Sequence, residues 1–121
     1  MLIALWIVGG LLAIAMLGAG VMKLVTPKTA LAEKGMAWTE DFSAGAIKAI
    51  AALEVLGALG LILPLLTGIA PILTPLAGTG LAIIMIGAIV VHVRRKEAFA
   101  PALVLALLAA ASAVLGFLFV L

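Results

Sequence analysis

Cysteine is absent from this 121-residue chain. That excludes thiol–disulfide exchange, Cys-ligated iron–sulfur clusters and thiolate zinc sites. Tyrosine is also absent and His92 is the single histidine, so a bis-His haem cannot be assembled within one chain. Charge is scarce as well: 10% of residues are charged, against about a quarter in a soluble domain. Phosphate loops, metal-ligand motifs and nucleophile elbows are missing. No catalytic residue and no metal site is therefore expected, and the isolated chain reads as a non-enzyme. A nucleic-acid partner is not expected either.

What is present is apolar. Hydrophobic residues make up 68% of the chain, and mean hydropathy is +1.51. Such a chain cannot cover a water-facing surface, so lipid must be its solvent. Only helices and closed barrels satisfy backbone hydrogen bonds in lipid. Strand-like alternation is absent, which removes the barrel. The expectation is an all-α polytopic membrane protein: a four-transmembrane-helix bundle forming a single membrane domain over residues 1–121. The spans are expected at about 2–25, 43–63, 72–93 and 99–121, each near the ~20 residues that the hydrocarbon layer requires.

Prolines punctuate these spans. Span one should end at Thr26-Pro27 and span two at Pro64, since proline cannot continue a helix without losing a hydrogen bond. Span three should open near Pro71 or Pro75, with Thr74-Pro75 reading either as a cap and first-turn pair or as a kink at Pro75, and Pro101 lies near the start of span four. Span one has no basic residue before it and too long an apolar run for a signal peptide, so it reads as a retained helix. Between spans one and two, Thr26-Pro27-Lys28 through Gly35 has the cap, proline and terminal glycine of a short interfacial helix. Trp38 and Phe42 are expected at headgroup level, and Trp6 at the opposite interface.

Basic residues are one-sided. Lys23, Lys28, Lys34 and Lys48 flank or occupy the first connection, and Arg94, Arg95 and Lys96 fill the third. The positive-inside rule makes that face cytoplasmic and places both termini outside. The Arg94-Arg95-Lys96 run is explained by topology, with anionic lipid headgroups as an alternative use.

Glu54 is the costly residue. It lies near the middle of span two, where a carboxylate costs about 2.5–3.5 kcal/mol on insertion scales unless compensated. Helical spacing puts Ile47, Ile50, Ala51, Gly57, Ala58 and Leu61 on its face. Their small members let a neighbouring helix approach, so Glu54 should look inward and Leu56 toward lipid. Glu54 is ~12 Å inside the hydrocarbon and Lys23 ~3 Å, at 1.5 Å per residue. Side chains tilt toward the N-terminus of their own helix. Lys23 and Glu54, on antiparallel spans, therefore lean toward each other. His92 ends span three and also leans inward, with Met85 and Gly78 on its face. The expected cluster is Lys23 and Glu54 in direct or water-bridged contact, with His92 close by. Lys48 leans toward the cytoplasm and should snorkel. The paired glycines Gly18 and Gly20, Gly57 and Gly60, and Gly78 and Gly80 read as packing positions.

Three stretches together resemble the DoxX-like family of small four-span bacterial membrane proteins. They are Gly20-Val21-Met22-Lys23-Leu24, Glu54 through Pro64, and Pro75 through Gly80-Leu81 and Met85-Ile86-Gly87-Ala88 to His92-Val93-Arg94-Arg95. The resemblance implies a four-helix bundle in the bacterial inner membrane. It also implies a link to thiosulfate:quinone oxidoreductase subunits and to membrane complexes handling oxidative stress. Lys23, Glu54 and His92 match the polar elements of the pattern. The lack of cysteine argues against a thiol-based role.

The residues leave three roles open. The first is an accessory subunit that binds a quinone or lipid-like molecule near Glu54 in a redox or stress-response complex. The second is an oligomeric proton-coupled transporter of small molecules that uses Glu54. The third is a structural or assembly protein. No cofactor is visible in the residues themselves, quinone being the one that the first role admits. Expected partners are the bilayer and either a membrane redox protein or further copies of the chain.

Overall fold

A computed structural model describes residues 2–121. Its elements are α1 (Leu2–Val25), α2 (Lys28–Glu33), a 3-10 turn (Ala37–Asp41), α3 (Ala44–Thr67), α4 (Leu73–Arg94) and α5 (Ala100–Val120). The four long helices are each apolar and long enough to cross a membrane. They alternate in direction, so the basic connections gather at one end of the bundle. α1 packs along α3 and α4 along α5, α3 meets α4, and α1 closes the ring against α5 over a smaller area.

The outward faces carry large apolar side chains, among them Leu56, which is 64% exposed, and likewise Ile83 and Leu107. Water would not tolerate so continuous an apolar surface, whereas lipid matches it. Inside, Leu12, Met16, Leu61, Leu81 and Met85 form the centre of the core with small residues around them. Gly20 lets α1 close on α3: a Cβ there would come within 2.9 Å of the Ala51 carbonyl and 3.3 Å of the Glu54 Cβ. Gly57 receives Leu81, Gly60 faces Ala77, and Gly78 abuts the Ala113 backbone. Gly18 and Gly80, expected as packing positions, have open space beside them.

Three local expectations are corrected. α3 does not stop at Pro64 but runs through it to Thr67. The proline forfeits one bond, the one its missing N–H would have made to the Gly60 carbonyl, while its own carbonyl still accepts from the Gly68 N–H. The helix ends instead at Gly68, whose φ of 72° is left-handed, the usual role of a glycine after a helix. Thr26 does not cap α2: Pro27 holds that position without a side-chain bond. Thr26 belongs to the end of α1, its N–H donating to the Met22 carbonyl. Thr74 lies inside the first turn of α4 rather than capping it, and its buried hydroxyl donates to the Leu61 carbonyl at 3.4 Å.

Lys48 also differs from its expected snorkelling. Its ammonium reaches across from α3 and donates to the carbonyls of Lys23, Leu24 and Thr26. Those carbonyls lack partners at the end of α1, and a cation is favoured at a helix C-terminus.

Candidate functional site

Glu54 is held by its own helix. It shares the inward face of α3 with Ile47, Ala51, Ala58 and Leu61, all buried, and is itself 1% exposed. Lys23 is buried at the last turn of α1. Its Nζ donates to Glu54 Oε1 at 2.5 Å. The two opposed helix directions bring the side chains together as their tilts require, with Gly20 removing the bulk that would keep the backbones apart. A charge pair in apolar surroundings compensates each charge only if its geometry is good; this one is short and direct.

The pair borders a cavity of about 330 Å³ in the basic half of the bundle. Met16 and Ala19 of α1, Ile84, Met85 and Ala88 of α4, and Ala102 and Leu105 of α5 supply its apolar walls. Trp38, Phe42 and Met36, from the connection between α1 and α3, close the end that faces the basic connections. Trp38 stands edge-on to Phe42 with ring centroids 5.6 Å apart. Its ring also lies 5.6 Å from Lys23 Nζ, within the range where an aromatic face attracts a cation. Trp38 is thus a wall of the site rather than only an interface anchor.

His92 lies on the same cavity and meets Trp38 edge-on, centroids 6.4 Å apart. It is not bonded to Lys23 or Glu54. Its Nδ1 sits 3.2 Å from Glu97 Oε1. Glu97 reaches back because Lys96 adopts a left-handed φ of 56° and the Glu97 N–H donates to the His92 carbonyl. Arg95 continues the chain of charges, pairing with Glu97 at 3.2 Å and donating to Asp41 at 2.7 Å. Asp41, and then Glu97, hold the Arg95 guanidinium above its ordinary pKa. This network ties the segment bearing Trp38 to the end of α4.

The three residues singled out from the sequence therefore border one cavity, with Lys23 and Glu54 in contact and His92 joined through Trp38. Sequence reasoning placed Met85 on the His92 face but missed Met16, Met36, Glu97 and the covering role of Trp38. Glu97 could have been found by its short separation from His92 across a basic run. Trp38 could not, because only the path of the connection brings it over Lys23.

The sequence pattern of the DoxX-like family matches residues 7–114. The chain belongs to the DoxX-like family. No curated protein and no solved structure matches it. In this DoxX-like protein the matched region contains Lys23, Glu54, Trp38 and His92, so the whole polar wall lies within the family's extent. Among the described residues no group of three or more His, Cys, Asp or Glu side chains is placed to hold a metal ion. A second hollow, between α1 and α3 at the opposite end, is lined by Trp6, Gly10, Leu17, Leu59 and other apolar residues. It has no ionisable group and offers shape alone.

Proposed function

We propose that this DoxX-like protein is a small accessory subunit that holds a quinone or lipid-like molecule in the cavity beside Glu54, within a redox or stress-response complex of the bacterial inner membrane. The observation that carries the reading is the cavity itself: apolar walls, an aromatic cover and one buried Lys23–Glu54 pair. Small-molecule sites have this character, mostly apolar with a few placed polar groups. Native mass spectrometry from mild detergent tests it. The expected result is a retained quinone or lipid that is lost when Ala88→Phe fills the cavity. Equal retention in both proteins would place the molecule elsewhere and end the reading.

The basic connections face the cytoplasm in this proposal, and both termini face outward. The chain has no cysteine, so single cysteines introduced at Ala30 and Leu121 report cleanly. An impermeant thiol reagent is expected to reach them from opposite faces of the membrane. Labelling of both from one side would overturn the orientation.

A second reading is structural: the pair pins α1 against α3. The direct bridge and the close approach at Gly20 favour it. The proton-carrier role draws less support, since Glu54 is engaged by a lysine rather than standing alone.

A further inference from the structure

The Lys23–Glu54 pair is incompletely used by the protein. Lys23 takes up Glu54 Oε1, and among the described residues no donor reaches Glu54 Oε2. That oxygen is not fully enclosed: the fully enclosed side-chain polar atoms without a hydrogen bond are Ser112 Oγ and Arg95 Nε, the latter in ion-pair range of Glu97. Glu54 borders the cavity and is 1% exposed, so the small uncovered part of its carboxylate meets that space. An ammonium has three N–H donors. Lys23 spends one on Glu54 and turns toward the Trp38 ring, leaving donor capacity on the same wall.

A buried acceptor and a buried donor, each with unused hydrogen-bonding capacity, therefore stand side by side in the wall of an apolar pocket. A hydroxyl is the smallest group that satisfies both, because it donates one hydrogen and accepts through two lone pairs. A carbonyl or an ether satisfies Lys23 and leaves Glu54 Oε2 unpaired. An ammonium satisfies Glu54 and repels Lys23. The other walls are thioether, aliphatic and aromatic, so the remainder of the ligand must be apolar. A volume of about 330 Å³ lies at the small end of the range of ~300–1,000 Å³ for ligand pockets, so that remainder must be compact.

We propose that the cavity selects a compact apolar molecule whose buried end is a hydroxyl, held between Glu54 Oε2 and Lys23 Nζ. The proposal rests on the reading of the cavity as a ligand site. The hydroxyl has two chemical sources, the reduced ring of a hydroquinone and the alcohol of a lipid.

The test is a fluorine-NMR titration of the full chain in nanodiscs with four fluorinated probes of similar size: an alkylphenol, its methyl ether, an alkyl-substituted para-quinone and an aliphatic alcohol. Empty nanodiscs give the partitioning baseline. The alkylphenol is expected to bind at least about tenfold more tightly than its methyl ether, the scale of a hydrogen bond to a charged group. The quinone should rank with the ether. A phenol that outranks the aliphatic alcohol indicates the ring source, and equal binding of the two indicates the lipid source. In a Glu54→Leu, Lys23→Met double variant, which leaves no stranded charge, the preference over the ether should vanish. Equal binding of phenol and ether to the wild type, or a preference that survives in the double variant, overturns the hydroxyl while leaving a ligand site standing. Failure of all four probes to bind above the baseline overturns both.

Discussion

The two halves of the bundle are built differently. Away from the basic connections, helix meets helix through small residues: Gly78 abuts the Ala113 backbone, Gly116 abuts Pro75, and Gly60 faces Ala77. Toward the basic connections Gly20 still brings α1 onto α3, but Met16, Met85, His92 and the Lys23–Glu54 pair stand around open volume. Close backbone approach fills the space between α4 and its neighbours with main chain, and the hollow away from the basic connections lies to one side, between α1 and α3. Long side chains at the other end hold the helices apart and let polar groups face inward. The difference teaches that small residues and ionisable residues divide the labour, one half fixing the helices and the other half shaping a space between them.

The sharpest way to break this contrast lies in the open half. Glu54→Gln strands the Lys23 charge and is expected to destabilise the bundle by about 3–5 kcal/mol. Adding Lys23→Met should restore part of that loss, both read by thermal unfolding in detergent. If the double variant is no more stable than the single one, the two side chains are not coupled and the open half is held by something else.

The next effect is expected where the close packing begins. A side chain at Gly57 would collide with Leu81, whose Cδ2 lies 2.6 Å from the position of a Cβ. Gly57→Leu should cost about 1–3 kcal/mol or more from overpacking. Leu56→Phe, on the lipid face, should stay within about 0.5 kcal/mol. Equal melting temperatures would erase the distinction between the faces.

The smallest expected effect sharpens the picture of the tight half. Ser112 Oγ is buried opposite Gly9 and has no hydrogen-bond partner. Ser112→Ala removes an unsatisfied hydroxyl and should stabilise the protein by about 1 kcal/mol. A loss of stability would show that the hydroxyl is engaged after all.

Much of this was legible in the sequence. Hydropathy gave the four spans, and helical spacing put Glu54 inward and Leu56 outward. Side-chain tilt brought Lys23 to Glu54, because that depends only on chain direction. What escaped depends on the path of the connections. Trp38 covers the cavity because the segment between α1 and α3 folds over the bundle end. Lys48 caps α1 because α3 begins beside it. Pro64 misled because a proline weakens a helix without always ending it, and the stop came from the left-handed Gly68. His92 turned to Glu97, a partner brought round by the backbone turn at Lys96.

One consequence concerns how the chain enters the membrane. Lys23 and Glu54 belong to the first two spans, and their charges cancel only when α1 and α3 lie side by side. Threaded singly, each span would carry an uncompensated charge into hydrocarbon. Presented as a hairpin, with Lys48 already clasping the carbonyl end of α1, the two bury Lys23 and Glu54 as a neutral pair. Insertion of the first hairpin as one unit would therefore cost less than insertion of α1 and α3 one at a time.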